Sequence, residues 1–200
     1  MRVISGAAKG RRLTAPRGLQ IRPTTDFVKE AMFQLIENRL GDDWEGRVVL
    51  DLFAGTGALG IEALSRGATL CLFVDNSQES FHLLQKNLKV CGLAQRSRTY
   101  NLELFRHKKC EKITKYYAPF QLILADPPYA TGCSIATIHF VAKHDIMAPN
   151  GILVMEEREK VDLPLQEWPL SCFDRRSYGD TALWFYERIE EKTMKRLKET

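Results

Sequence analysis

Val48-Val49-Leu50-Asp51-Leu52-Phe53-Ala54-Gly55-Thr56-Gly57-Ala58-Leu59-Gly60 is a β-prone apolar run that breaks into G-x-G-x-x-G. It resumes through Ile61, Ala63 and Leu64 with helical spacing and stops at Gly67. The stretch predicts a strand, a tight glycine turn and a helix, the setting in which the pattern lets a backbone pass close to a bound nucleoside. Asp75 lies about twenty residues further on, at the tip of the next apolar run, where a carboxylate can accept hydrogen bonds from both ribose hydroxyls. Up to this point the pattern fits NAD as well as S-adenosylmethionine, and the glycines alone could be a plain strand-to-helix turn.

Outward from that unit the chain keeps alternating. Strands are expected at Leu70 to Val74, Arg98 to Tyr100, Leu122 to Ala125 and Ile152 to Glu156, with helices at Gln78 to Cys91 and about Ser134 to Lys143. Upstream, Pro23-Thr24-Thr25-Asp26 caps a helix to about Leu40 whose apolar face is read as Phe27, Ala31, Leu35 and Ile36. Met1 to Ile4 and the residues around Leu13 form a small hairpin. The rhythm breaks at the end, where Cys172 to Tyr178 and Thr181 to Glu187 flank Gly179-Asp180 as an antiparallel hairpin. The fold class is α/β, a mostly parallel sheet with a C-terminal antiparallel hairpin and a small N-terminal hairpin and helix extension. We read one domain over residues 1–200, with a basic extension over 1–24 and a charged tail over 188–200.

Composition sets the surroundings. With 200 residues and 44% hydrophobic content the chain can bury one full core. No run approaches the roughly 18 apolar residues that span a bilayer, and the opening residues lack a signal-peptide core, so a soluble cytoplasmic protein is expected. Cys71, Cys91, Cys110, Cys133 and Cys172 contain no Cys-x-x-Cys pair, and His139 and His144 are badly spaced for one helix face, so no metal site is expected. The net charge of +4 is modest, but Lys9, Arg11, Arg12, Arg17 and Arg22 all precede the first acidic residue, Asp26. That is the profile of a phosphate-contacting arm or of a solvated leader. Arg106-His107-Lys108-Lys109 has no assigned role, and solvated helix surface is favoured over substrate contact.

The second motif chooses the chemistry. Asp126-Pro127-Pro128-Tyr129 closes the fourth strand, at the carboxyl edge where open α/β sheets bind ligands. An exocyclic base amine is a poor nucleophile, because its lone pair is delocalised into the ring. Two acceptors aimed at its N–H bonds draw it toward tetrahedral geometry. Asp126 offers a carboxylate and Pro127 a main-chain carbonyl, the prolines stiffen the loop, and Tyr129 offers a ring on which an extruded base can stack. A strand-ending turn is the bland reading, and a second acidic motif downstream of the glycine turn argues against it. Asp51 and the terminal hairpin favour the methyl donor over NAD.

With both motifs in place the chain resembles class I methyltransferases, which have a Rossmann-like seven-stranded sheet. More closely it resembles the RsmD-type family of small-subunit ribosomal RNA guanine-N2 methyltransferases. The likeness runs from Met1-Arg2-Val3-Ile4-Ser5-Gly6 and Lys9-Gly10-Arg11-Arg12 through Arg22-Pro23-Thr24-Thr25-Asp26 and the glycine segment to Asp126-Pro127-Pro128-Tyr129 and Tyr178-Gly179-Asp180-Thr181. The resemblance implies S-adenosylmethionine held by Thr25, Asp51, Phe53, Ala54, Gly55, Gly57, Asp75, Asn76, Asn101 and Leu102. It further implies catalysis by Asp126 to Tyr129, and RNA contacts from Lys9, Arg11, Arg12 and Arg22. A monomer acting on ribosomal RNA within a small-subunit assembly particle is the expected setting. An adenine-N6 methyltransferase on DNA or RNA, or an inactive RNA-binding assembly protein, are the alternatives.

Overall fold

The computed structural model describes residues 1–15, 26–105, 108–128 and 132–189. In chain order these form α1 (Asp26–Leu40), β1 (Val48–Leu52), α2 (Ala58–Arg66), β2 (Leu70–Asp75), α3 (Gln78–Cys91) and β3 (Ser97–Asn101). There follow α4 (Lys108–Tyr117), β4 (Phe120–Ala125), α5 (Cys133–His144), β5 (Met147–Arg158), β6 (Gln166–Glu167), β7 (Leu170–Tyr178) and β8 (Thr181–Arg188). One sheet runs β3-β2-β1-β4-β5-β8-β7-β6. The first five strands in that order pair in parallel, and β8, β7 and β6 pair antiparallel. The seven long strands match the expected sheet, and the eighth, β6, is a two-residue edge strand.

Successive residues of a strand face opposite sides, so each parallel strand feeds two cores. Val49, Leu122, Leu124, Ile152, Val154, Leu183 and Phe185 meet Met32, Phe33 and Ile36 of α1, Ile61 and Leu64 of α2, and Leu84 and Leu88 of α3. Leu50, Leu52, Ile123, Leu153, Met155, Trp184 and Tyr186 meet Cys110 of α4 and Ile138 and Val141 of α5. Apolar strands flanked by helices on both faces are the arrangement that buries a parallel sheet. Strand order reverses between β1 and β4, and the crevice at that switch point lies outside their carboxyl ends.

Three details depart from the sequence reading. The buried side of α1 is Val28, Lys29, Met32, Phe33 and Ile36, whereas Phe27 is 69% exposed. The stripe is displaced because Lys29, a residue that reads as surface, is taken inside by an acidic partner. β5 runs to Arg158, two residues beyond the apolar run, because β8 pairs with it to the end, Arg158 opposite Thr181. Arg188 closes β8, where it pairs with Asp145, and so is not part of a tail. The rest of that tail, from residue 190, lies outside the described residues.

The N-terminal extension is a minimal hairpin with one antiparallel bridge, Arg2 to Arg12. It is fastened to the domain through side chains. The Glu62 carboxylate accepts from Ile4 N at 2.8 Å and Ser5 N at 2.9 Å, and Ser65 Oγ accepts from Ala8 N at 2.9 Å. Lys29 Nζ donates to Arg2 O at 2.6 Å and lies 3.2 Å from Glu62. Val3, Ala8 and Leu13 enter the first core, and burying the two larger ones contributes about 1.5–3 kcal/mol each. Gly6, at φ +77°, lies so close to α2 that a Cβ there would stand 1.8 Å from Ser65 O.

Candidate active site

The glycine turn is built from backbone in unusual conformations. Phe53 (φ 58°), Gly55 (φ 53°) and Gly57 (φ 81°) all occupy the left-handed region, which costs a non-glycine residue such as Phe53 energy and marks a constrained loop. Three side chains hold it. Asp51 Oδ2 accepts from Gly60 N at 2.9 Å, Asp75 Oδ2 accepts from Gly55 N at 2.8 Å, and Asn87 Nδ2 donates to Thr56 O at 2.9 Å. Gly60 is required for packing, since a Cβ would stand 2.4 Å from Phe73 Cε1.

Asp51 is buried beneath this loop. Burial raises its pKa to about 7, and the Asp75 charge adds to the rise while the Gly60 hydrogen bond opposes it. Asp75 is half-buried at the tip of β2, with Oδ1 accepting from Ser77 N at 2.8 Å where α3 begins. Each of its oxygens keeps a further lone pair, so the carboxylate can still take hydroxyl donors.

A pocket of about 640 Å³ opens at the switch point. One half is walled by Phe53, Gly55, Asp75, Asn76, Leu102 and Phe105, and the other by Asp126, Pro127, Pro128, Cys133 and Arg158. The two sequence motifs therefore share one cavity. Asp126 is exposed to the cavity, and the loss of water on its protein side, then the carboxylates of Glu156, Asp51 and Glu157, raise its pKa above the ordinary range. Glu156 and Glu157 are both buried at the end of β5, where Glu157 accepts from Ser134 Oγ at 2.5 Å and from Arg158 N at 2.7 Å.

Of the residues expected at the cofactor, Phe53, Gly55, Asp75, Asn76 and Leu102 line the cavity. Asp51, Ala54 and Gly57 shape the loop from behind, and Asn101, paired with Asp75 at the end of β3, lies outside the wall. Thr25, Arg22 and Tyr129 lie outside the described residues. Lys9, Arg11 and Arg12 are exposed on the docked hairpin. Sequence reasoning missed Phe105, Cys133 and the Glu156-Glu157-Arg158 run. The signal available was a charged triplet directly after an apolar strand, at the same sheet edge as Asp126.

Comparison with known proteins gives the family of the chain. The sequence profile of the family described as Conserved hypothetical protein 95 matches residues 1–187. YlbH of Bacillus subtilis (strain 168) is 37% identical over 188 residues, covering 94% of this chain and 99% of that one. A ribosomal RNA small subunit methyltransferase D of Escherichia coli (strain K12) is 28% identical, with 94% and 90% covered. The solved Escherichia coli protein yhhF superposes with a TM-score of 0.77 at 30% identity, over 94% of this chain and 97% of that one. The chain thus belongs to the family described as Conserved hypothetical protein 95, the RsmD-type family that its motifs resemble.

Proposed function

We propose that this protein transfers a methyl group from S-adenosylmethionine to the exocyclic N2 amine of a guanine in small-subunit ribosomal RNA. The observation that carries the reading is the single cavity shared by the Asp75 half and the Asp126-Pro127-Pro128 half. The first half suits the cofactor: a loop rich in close-approach glycine, a carboxylate with spare lone pairs, and an apolar wall of Leu102 and Phe105 fit a nucleoside joined to an amino acid. Asp75 would hold the ribose, the Phe53 to Gly55 backbone the methionine part, and Leu102 with Phe105 the adenine. When bound, the cofactor supplies an electrophilic methyl on sulfur.

The second half acts on the base. Asp126, ionised, accepts one N–H of the amine and the Pro127 carbonyl the other, which turns the lone pair toward the methyl. A carboxylate whose pKa is raised by the surrounding protein and by Glu156 is a stronger base than a free one, and would receive the proton released as the N–C bond forms, the methyl–sulfur bond breaks and the neutral thioether leaves. A positive charge in the cavity favours its ionised form. Tyr129 stacks on the extruded base, while Lys9, Arg11 and Arg12, with Arg22, contact phosphates. We place the reaction in the cytoplasm, with a monomer acting on an assembling small subunit.

The test is transfer of labelled methyl to small-subunit RNA and its assembly particles by the wild type and Asp126→Ala, followed by nucleoside analysis. N2-methylguanosine that disappears in the variant is expected. N6-methyladenosine would keep the chemistry and replace the substrate, and cofactor binding without transfer to any RNA would overturn the reading.

A further inference from the structure

Phe27 is a large ring left 69% exposed at the first turn of α1, where most helices place polar residues. It is held in place by Tyr178, edge to face, with centroids 6.0 Å apart and planes at 78°. Tyr178 is itself anchored, half-buried against the first core and closing the two-residue turn into β8.

Strand register ties this pair to the active site. Arg158 pairs with Thr181, and Thr181 with Tyr178, so the three side chains stand in one row across β5, β8 and β7 on the same face. Arg158 is in the wall of the cavity beside Asp126. Two strand spacings of about 4.8 Å put Tyr178 roughly 10 Å from Arg158. Arg2, its side chain 63% exposed, pairs with Asp26 beside Phe27, and Lys9, Arg11 and Arg12 are exposed on the hairpin that packs against α1 and α2.

We propose that Phe27, positioned by Tyr178, is a stacking platform for an unpaired RNA base next to the target nucleotide. The inference rests on the reading above that the substrate is RNA. Extruding the target base strips its neighbour of a stacking partner, and an aromatic ring a few strand spacings from the cavity wall replaces it whatever that neighbour's identity. The exposed Lys9, Arg11 and Arg12 of the docked hairpin suit the adjoining phosphates.

The test is steady-state methyl transfer to small-subunit particles lacking the modification, with Phe27→Ala, Phe27→Leu and Phe27→Trp. One stacked base predicts a KM for particles about tenfold higher in F27A and F27L, with kcat little changed and F27W near wild type. S-adenosylmethionine binding and the salt dependence of KM stay as in the wild type, because no charge is lost. F27L matching wild type would overturn the proposal, since any apolar contact would then suffice; so would a parallel loss of cofactor binding, which marks a structural defect. If the wild type methylates no RNA or particle, the proposed function itself fails and this inference with it. If the wild type is active and F27A equals it, the stacking platform alone fails.

Discussion

Replacing Glu62 by Gln should detach the N-terminal hairpin while leaving the methyl-transfer residues untouched. The carboxylate is fully buried and accepts from Ile4 N, Ser5 N and Arg66 Nε, with Lys29 Nζ at 3.2 Å. Gln keeps the shape but has one acceptor oxygen, so its amide NH₂ faces groups that are themselves donors. Lys29, 1% exposed, then loses its counter-charge; burial already depresses its pKa, and Glu62 is the main influence opposing that. Removing one partner of a buried ion pair costs about 3–5 kcal/mol. The backbone N–H left unsatisfied falls within that figure, because contacts of one network do not add.

On a total stability of about 5–15 kcal/mol the change is large. For a chain of this length it corresponds to a thermal midpoint lower by roughly 6–20 °C. Urea unfolding monitored by circular dichroism gives the free energy, and amide exchange at Ile4, Ser5 and Ala8 shows whether the loss is local. A loss below about 1 kcal/mol at unchanged urea dependence would refute the account, because the network would then be decorative.

Gly60→Ala is expected to lower stability by about 1–3 kcal/mol, although alanine is the better helix former, because the methyl collides with Phe73 and Cys71; a raised thermal midpoint would contradict it. Asp51 holds its proton to about pH 7 when folded, against 3.8 ordinarily. The folded state therefore binds more protons between those values, and stability should fall as pH rises through the window. Asp51→Asn keeps an oxygen for Gly60 N and should flatten that fall in a series of melts; an unaltered slope would point elsewhere. Neutralising Arg11 and Arg12 together should weaken RNA binding and shallow its logarithmic salt dependence by about 1.4. An unchanged slope across a salt series would remove the hairpin from the RNA interface.

Much of the site was readable because its chemistry is local in the chain. The glycine turn needs residues that tolerate positive φ within a few positions, and the Asp126-Pro127-Pro128 stretch ends a strand as apolar as Leu122 to Ala125. What escaped depends on contacts between distant segments. Lys29 reads as solvated until Glu62, which also reads as solvated, is placed against it. Arg158 reads as loop until β8 extends the strand beneath it. Phe27 reads as core by its type, whereas the stripe that is buried passes through Val28, Met32 and Ile36.

The fastening of the first residues also sets an order of assembly during synthesis. Ile4 bonds across 58 positions to Glu62, Ala8 across 57 to Ser65, and Thr14 across 73 to Asn87. Elongating at about 5–20 residues per second, a ribosome takes roughly 3–15 s to supply those partners. Until then the arm bearing Lys9, Arg11 and Arg12 has no surface to settle on. Its Thr14 end becomes fixed only when α3 exists, and because Asn87 grips both Thr14 and Thr56, the same event adds a brace to the nucleoside loop. A nascent chain thus completes the docking of its arm and the bracing of its loop together, after α2 has taken the first residues.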